Sequence, residues 1–212
     1  MFLNITALKK ILTSHYKSVG LTVGRRENEL IVCSANGTVG FQIDINFVPN
    51  KLKGVLAELI GDLPEEGEIY TYKKGEQQLE MDFDRFDIYQ RWQTAKNFAW
   101  KTLVILNGQV SDYCLMQLSG GRVVPVIRTL VDLVSVKDLE ESEGMPGNPS
   151  FLNGMFYWKN EAMIYFAGSS ALREELSERL FPALEGFYLT EKSVERWKEK
   201  EENTEDNELP YR

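Results

Sequence analysis

The sequence predicts an α+β fold of antiparallel hairpins and meanders packed with amphipathic helices, with room for two α+β halves of similar size. Three observations predict it. Short alternating runs such as Val39, Phe41, Ile43 and Ile45 have the two-residue period of a half-buried strand. The dipeptides Asn36-Gly37 and Asn107-Gly108 join such runs, and Asn-Gly is a strong two-residue hairpin signal. Between the hairpins lie segments whose apolar residues recur every three or four positions, the spacing of one helical stripe.

In chain order, Leu8, Ile11, Leu12, Tyr16 and Val19 predict a helix over residues 4–18, ended by Gly20. A strand from Leu21, a polar turn at Glu27 and Asn28, a strand through Leu30, Ile31 and Val32, and a strand from Val39 form a three-stranded meander. Pro49 and Asn50 open a second helix carrying Leu52, Val55, Leu56, Leu59 and Ile60, with Gly61 near its end. Ile69, Tyr70 and Tyr72 pair with Leu79, Met81 and Phe83 across a turn at Lys74-Gly75. Ile88, Trp92, Ala95 and Ala99 then recur at helical spacing, which predicts a helix over about residues 85–98.

This α-β-β-β-α-β-β-α order, in an acidic chain, resembles the fold of type III secretion chaperones. The resemblance covers residues 1–98 and rests on element order and acidity, without a diagnostic motif. It implies a dimer-prone domain that captures an extended segment of another protein.

The second half, residues 99–202, opens with a hairpin from Trp100 through Leu118. Val123 to Ile127 follows as a strand whose Pro125 predicts an edge position or a strand end. Leu130 to Val136 is too evenly apolar to assign, and 138–150 reads as an acidic, Gly- and Pro-rich loop. Met155–Trp158 and Met163–Phe166 make an aromatic hairpin. Ser169 or Ser170 is placed to cap a helix from Ala171 to Phe181 that Pro182 stops, and Thr190 to cap a last helix to about Glu201. Residues 203–212 read as an acidic tail.

Composition narrows the function classes. With 43% hydrophobic and 26% charged residues, 212 residues suffice for a core without disulfide or metal staples. The net charge is −8 and acidity grows toward the C-terminus, where residues 151–212 carry eight Lys/Arg against thirteen Asp/Glu. Such a chain repels a phosphate backbone, so nucleic acid is disfavoured as a partner. Two distant cysteines in apolar runs, Cys33 and Cys114, read as buried thiols. No run of about 18 apolar residues is present to span a membrane. The expected location is the cytosol.

Catalytic hardware is sparse. His15 is the only histidine, so a nucleophile-histidine relay has a single possible centre, on a lysine-rich helix. One histidine and two distant cysteines do not make the usual zinc set, and neither phosphate-loop glycine motif occurs. The dense oxygen-ligand segment is Glu80 to Asp87, where Asp82, Asp84 and Asp87 are candidate ligands for Mg²⁺ or Mn²⁺. Their alternative role is structural: Asp84 sits where an N-cap belongs, and Asp87 where an acid suits the helix dipole. Among the aromatics, Phe156, Trp158, Tyr165, Trp92 and Trp100 are candidates to line a groove for a peptide or small molecule. Bulky residues on both faces of Met155–Trp158 require that one face be covered, by the C-terminal helix, another subunit or a partner.

Weighed together, these features predict a non-catalytic cytosolic interaction or regulatory protein, chaperone- or adaptor-like, which needs no cofactor. It binds another polypeptide through exposed strand edges or the aromatic hairpin, and homodimer formation stays open. Two other readings remain: a divalent-metal phosphoesterase or nuclease using the aspartates, and a small-molecule binding domain using the aromatics.

Overall fold

A computed structural model describes residues 1–137, 139–172 and 174–189, the side chains of 174–177 excepted. The fold is α+β, with antiparallel strand pairing throughout the described sheets. The chain divides into two compact units: Met1–Phe98 with Thr129–Ser169, and Ala99–Arg128 with the described part of Ser170–Arg212.

Unit 1 starts with α1 (Ile5–Lys17). Asn4 caps it, its Oδ1 accepting the Ala7 N–H at 3.0 Å, and Gly20, at φ 101°, turns the chain into the sheet. Strands β1 (Leu21–Arg26), β2 (Glu29–Ser34) and β3 (Val39–Asp44) form the predicted meander, and Gly37 takes φ 68° in the second hairpin. Helix α2 (Asn50–Ile60) ends at Gly61, and β4 (Ile69–Tyr72) pairs with β1 and with the two-residue β5 (Leu79–Glu80).

Beyond β5 the structure departs from the sequence-based expectation. Met81 still donates its N–H to the Ile69 carbonyl, but Phe83–Phe86 is a 3-10 turn and α3 spans only Ile88–Thr94. The helical spacing of Ala95 and Ala99 is misleading. Ala95 is extended, and Asn97 and Phe98 open strand β6 (Asn97–Leu106) by pairing with Phe151 and Ser150.

The predicted division into contiguous halves is also revised. Strands β9 (Ser150–Leu152), β10 (Met155–Lys159) and β11 (Met163–Gly168) join unit 1, because β11 pairs with β3 over five residues, from Met163↔Ile43 to Ala167↔Val39. Sequence order cannot reveal a ladder between strands more than a hundred residues apart. The sheet of unit 1 runs β5-β4-β1-β2-β3-β11-β10-β9, followed by the first two residues of β6.

Alternation sorts this sheet into two faces. Register places Val23, Val32, Phe41, Tyr165, Trp158 and Phe156 on one face; α1 packs on β1 and β2, and α2 on α1, with Leu8, Leu12, Leu52 and Leu56 among their buried residues. The other face carries Ile31, Cys33, Tyr157, Ile164 and Phe166, which form a core with Ile88 and Ala95 of the α3 region. On both faces of the aromatic hairpin the side chains are buried: Phe156, Trp158 and Tyr165 on one, Tyr157 and Phe166 on the other.

A second anchor closes this unit. The Met1 amino group is fully buried and ion-paired with the buried carboxylate of Glu143, which also accepts the Glu140 N–H at 3.2 Å. Glu143 lies in a 3-10 turn, Glu141–Glu143, within the segment expected to be loop. The one-turn α4 (Arg128–Val131) and a bridge between Leu3 and Val134 account for the stretch that periodicity left unassigned.

Unit 2 contains β6 from Ala99, β7 (Tyr113–Leu118), β8 (Val123–Ile127) and α5 (Glu174–Glu185). Pro125 sits in β8, whose only strand partner among the described residues is β7, so the edge assignment holds. Pro182 lies inside α5 rather than ending it. A proline removes one i→i−4 bond and kinks the axis, but the following residues can resume helical hydrogen bonding. The buried Gln117 fastens the end of α5 to β7: its Nε2 donates to the Phe187 carbonyl at 2.7 Å and its Oε1 accepts the Leu189 N–H at 2.9 Å. The predicted last helix and acidic tail lie outside the described residues. No helix among the described residues is long and apolar enough to cross a membrane.

Candidate functional site

The acidic segment is built from two caps in succession. Asp82 Oδ1 accepts the Asp84 N–H at 3.0 Å and caps the 3-10 turn, while Asp87 Oδ1 accepts the Gln90 N–H at 2.9 Å and caps α3. The cap expected at Asp84 thus falls on its two neighbours. Asp82 and Asp84 are exposed and Asp87 is half-buried. Among the described residues, no three His, Cys, Asp or Glu side chains converge to hold a metal ion. Asp87→Ala is expected to lower stability by about 1 kcal/mol, the worth of an N-cap, in a denaturant titration. A Mg²⁺-dependent stabilisation lost in that variant would instead support the metal reading.

The five aromatic candidates do not assemble into one groove. Phe156, Trp158 and Tyr165 are buried side by side on one face of the sheet, and the Tyr165 hydroxyl donates to the Leu130 carbonyl at 2.8 Å. That bond satisfies the one polar atom of a ring at zero exposure, and burial pushes the phenol far above its ordinary pKa. Trp92 is half-buried against the opposite face, with the Lys159 ammonium 5.0 Å from its ring centre. Trp100 is half-buried in β6 of unit 2. Bulky side chains on both faces of the hairpin therefore reflect a strand central to a sheet and buried on both faces.

The remaining nucleophile candidates are muted. Cys33 is buried, and desolvation pushes its thiol up to about 12, far from thiolate at neutral pH. Cys114 is buried as well, and neither cysteine forms a disulfide. His15 is half-buried in the last turn of α1, where burial lowers its pKa and favours the neutral ring.

The surface that stands out is one the aromatic search passed over. From Ala99 to Leu106, β6 pairs among the described residues with β7 alone, and its register shifts between Lys101 and Ile105, so residues 102–104 leave the ladder. Within that break the Val104 N–H bonds to Thr102 Oγ1 at 3.1 Å, a local substitute for strand pairing. Leu103 is 74% exposed, and Ile105, two residues on, is also exposed. An even apolar run such as Leu103 to Leu106 reads in sequence as a strand buried on both faces, so this exposure was not legible there.

The other described edges are closed off. β5 is two residues long. β8 carries Pro125, which has no N–H to offer, and the Pro125 carbonyl is taken by the Ser170 N–H at 2.8 Å. Short strands, prolines and covering segments are the usual means of blocking strand addition. β6 is ten residues long and has no proline, although Lys101 and the register break are themselves features of protected edges.

No family model matches this chain. No curated protein matches it either. Solved structures with partial likeness include the beta subunit from the DNA polymerase of Streptococcus pyogenes, at 10% identity and a TM-score of 0.36, covering 84% of this chain and 66% of that one. Another is the DNA polymerase sliding clamp from Bacillus subtilis, at 8% identity and a TM-score of 0.38, covering 81% of this chain and 64% of that one. This chain thus spans just under two thirds of their length. At these values the likeness assigns neither family nor function.

β6 exposes apolar side chains at Leu103 and Ile105; edge strands in general bind added strands through main-chain hydrogen bonds, with selectivity from alternate side chains.

Proposed function

We propose that this protein is a non-catalytic polypeptide-binding protein, chaperone- or adaptor-like, that takes an extended segment of another protein as an added strand beside residues 99–106 of β6. One observation supports this reading: β6 is a ten-residue strand without proline that from Ala99 on pairs, among the described residues, with β7 alone, and it exposes Leu103 and Ile105. Capture of an extended segment is also what the resemblance to type III secretion chaperones implies. Two buried thiols without a disulfide support a cytosolic setting. The second copy of the chain is an alternative source of the added strand.

The test is a peptide-array screen followed by hydrogen exchange on the best binder. Binding is expected to protect the amides of residues 99–106, and Leu103→Lys to weaken it by about tenfold or more, because a charge on an edge strand opposes pairing. Leu103 is largely exposed, so the same substitution should change stability by no more than about 0.5 kcal/mol. Peptides that bind while leaving those amides unprotected would refute the assignment, as would full affinity in the lysine variant. Concentration-dependent protection of the same amides without peptide would identify a second copy as the occupant.

A further inference from the structure

Unit 1 has a separate cleft of about 310 Å³, within the usual size range of ligand pockets, lined by Arg26, Glu29, Ile31, Gln42, Phe86, Asp87 and Tyr89. Sheet register explains why these residues meet. Arg26 and Glu29 are cross-strand partners on β1 and β2, and Ile31 pairs with Gln42 on β2 and β3, all on the face that α3 covers. The 3-10 turn and the start of α3 supply Phe86, Asp87 and Tyr89. The buried Ile31 makes an apolar floor, and Phe86 and Tyr89 contribute rings.

The polar lining sets carboxylate and amide acceptors beside the donors of Arg26 and Gln42. Glu29 Oε2 accepts the Gln42 Nε2–H at 2.5 Å, which leaves Glu29 Oε1 and the Gln42 carbonyl oxygen as acceptors. Asp87 uses Oδ1 on the Gln90 N–H and keeps Oδ2. Arg26 is the single cation of the lining, and its guanidinium stacks 4.9 Å from the ring centre of Phe83. Among the described residues, no ammonium or guanidinium lies within ion-pair distance of Glu29.

Glu29 is held there at a cost. Burial raises its carboxyl above the ordinary value, against the lowering effects of the Gln42 hydrogen bond and the charge of Arg26. An acid whose folded pKa is raised gives its stabilisation below the unfolded pKa, and that stabilisation is lost as pH rises through the folded value. At neutral pH the charged Glu29 therefore opposes folding. A glutamine would fill the same place without that cost.

We propose that this cleft binds a donor-rich cation, a guanidinium or ammonium group, between the Glu29 and Asp87 carboxylates and the Phe86 and Tyr89 rings. Two carboxylates against one arginine make the lining net negative, which disfavours an anion, and aromatic side chains suit a cation. A planar guanidinium supplies the paired N–H donors that the unfilled oxygens lack. The group can be presented by an arginine or lysine side chain of a polypeptide or by a free polyamine.

The experiment is an NMR titration of the whole protein with Nα-acetyl-arginine amide, its neutral analogue Nα-acetyl-citrulline amide, and spermidine. The arginine probe is expected to give saturable shifts at residues 26–31, 42 and 86–89 with a dissociation constant of about 1 mM or tighter, the range open to so small a ligand. Citrulline should bind about tenfold more weakly or worse, and Glu29→Gln should weaken the arginine probe by a similar factor while raising the melting temperature at neutral pH. Saturable binding of spermidine without the arginine probe would identify a polyamine as the source. Absence of saturable shifts from either cation up to about 20 mM, equal binding of citrulline, or undiminished binding in Glu29→Gln would overturn the proposal.

Discussion

Phe156→Ala is expected to lower the stability of the protein by about 3–5 kcal/mol, the cost of removing a large ring from a core that cannot close around the gap. Phe156 has no exposed surface and lies 4.6 Å from the ring of Phe151 and 6.2 Å from that of Trp158, centre to centre. Its strand is flanked on both sides, by β11 and β9, so the backbone has little freedom to collapse inward. Urea titration monitored by tryptophan fluorescence reads the loss directly. A change below about 1 kcal/mol would mean that the hairpin is not in the core and would return its aromatics to the list of surface candidates.

Glu143→Ala should have an effect of similar size, about 3–5 kcal/mol, for a different reason. The substitution removes one partner of a buried ion pair and leaves the Met1 ammonium without its counter-charge, while the Glu140 N–H loses its acceptor. The cost is that of an uncompensated buried charge, which exceeds the net worth of the pair itself. Chemical denaturation of the variant tests this, and a loss within about 1 kcal/mol would show that the amino group reaches water instead.

Much of the first unit was legible in sequence because its signals are local. Asn4, Gly20, Asn36-Gly37, Pro49 and Gly61 each act on the backbone within a few residues, and the helices and strands they bound form where the periodicity puts them. The errors occur where two periods overlap. Ile88, Trp92, Ala95 and Ala99 fit a helix, yet pairing of Asn97 and Phe98 with β9 converts the end of that stretch into strand. A ladder with residues about fifty positions away outweighs a helical pattern carried by two alanines.

The candidate sites were less legible. Aspartates and aromatics are conspicuous by residue type, but burial and capping decide whether they are available. Asp87 is half committed to α3 and half open to the cleft, and nothing in its neighbours along the chain predicts Glu29 and Gln42 beside it. Exposure of Leu103 depends on which strands lie beside β6, which is a property of the sheet and not of the run in which Leu103 lies.

The sequence by itself determined the α+β class, the positions of most helices and hairpins, the edge character of Pro125 and the shortage of catalytic side chains, because each follows from local backbone preference or from residue count. Only the tertiary structure decided which aromatics are core, which edge stays open and which charged groups share a cleft. Those outcomes depend on pairing between distant strands, above all β3 with β11, whose free energy comes from side chains that meet only after the chain has folded.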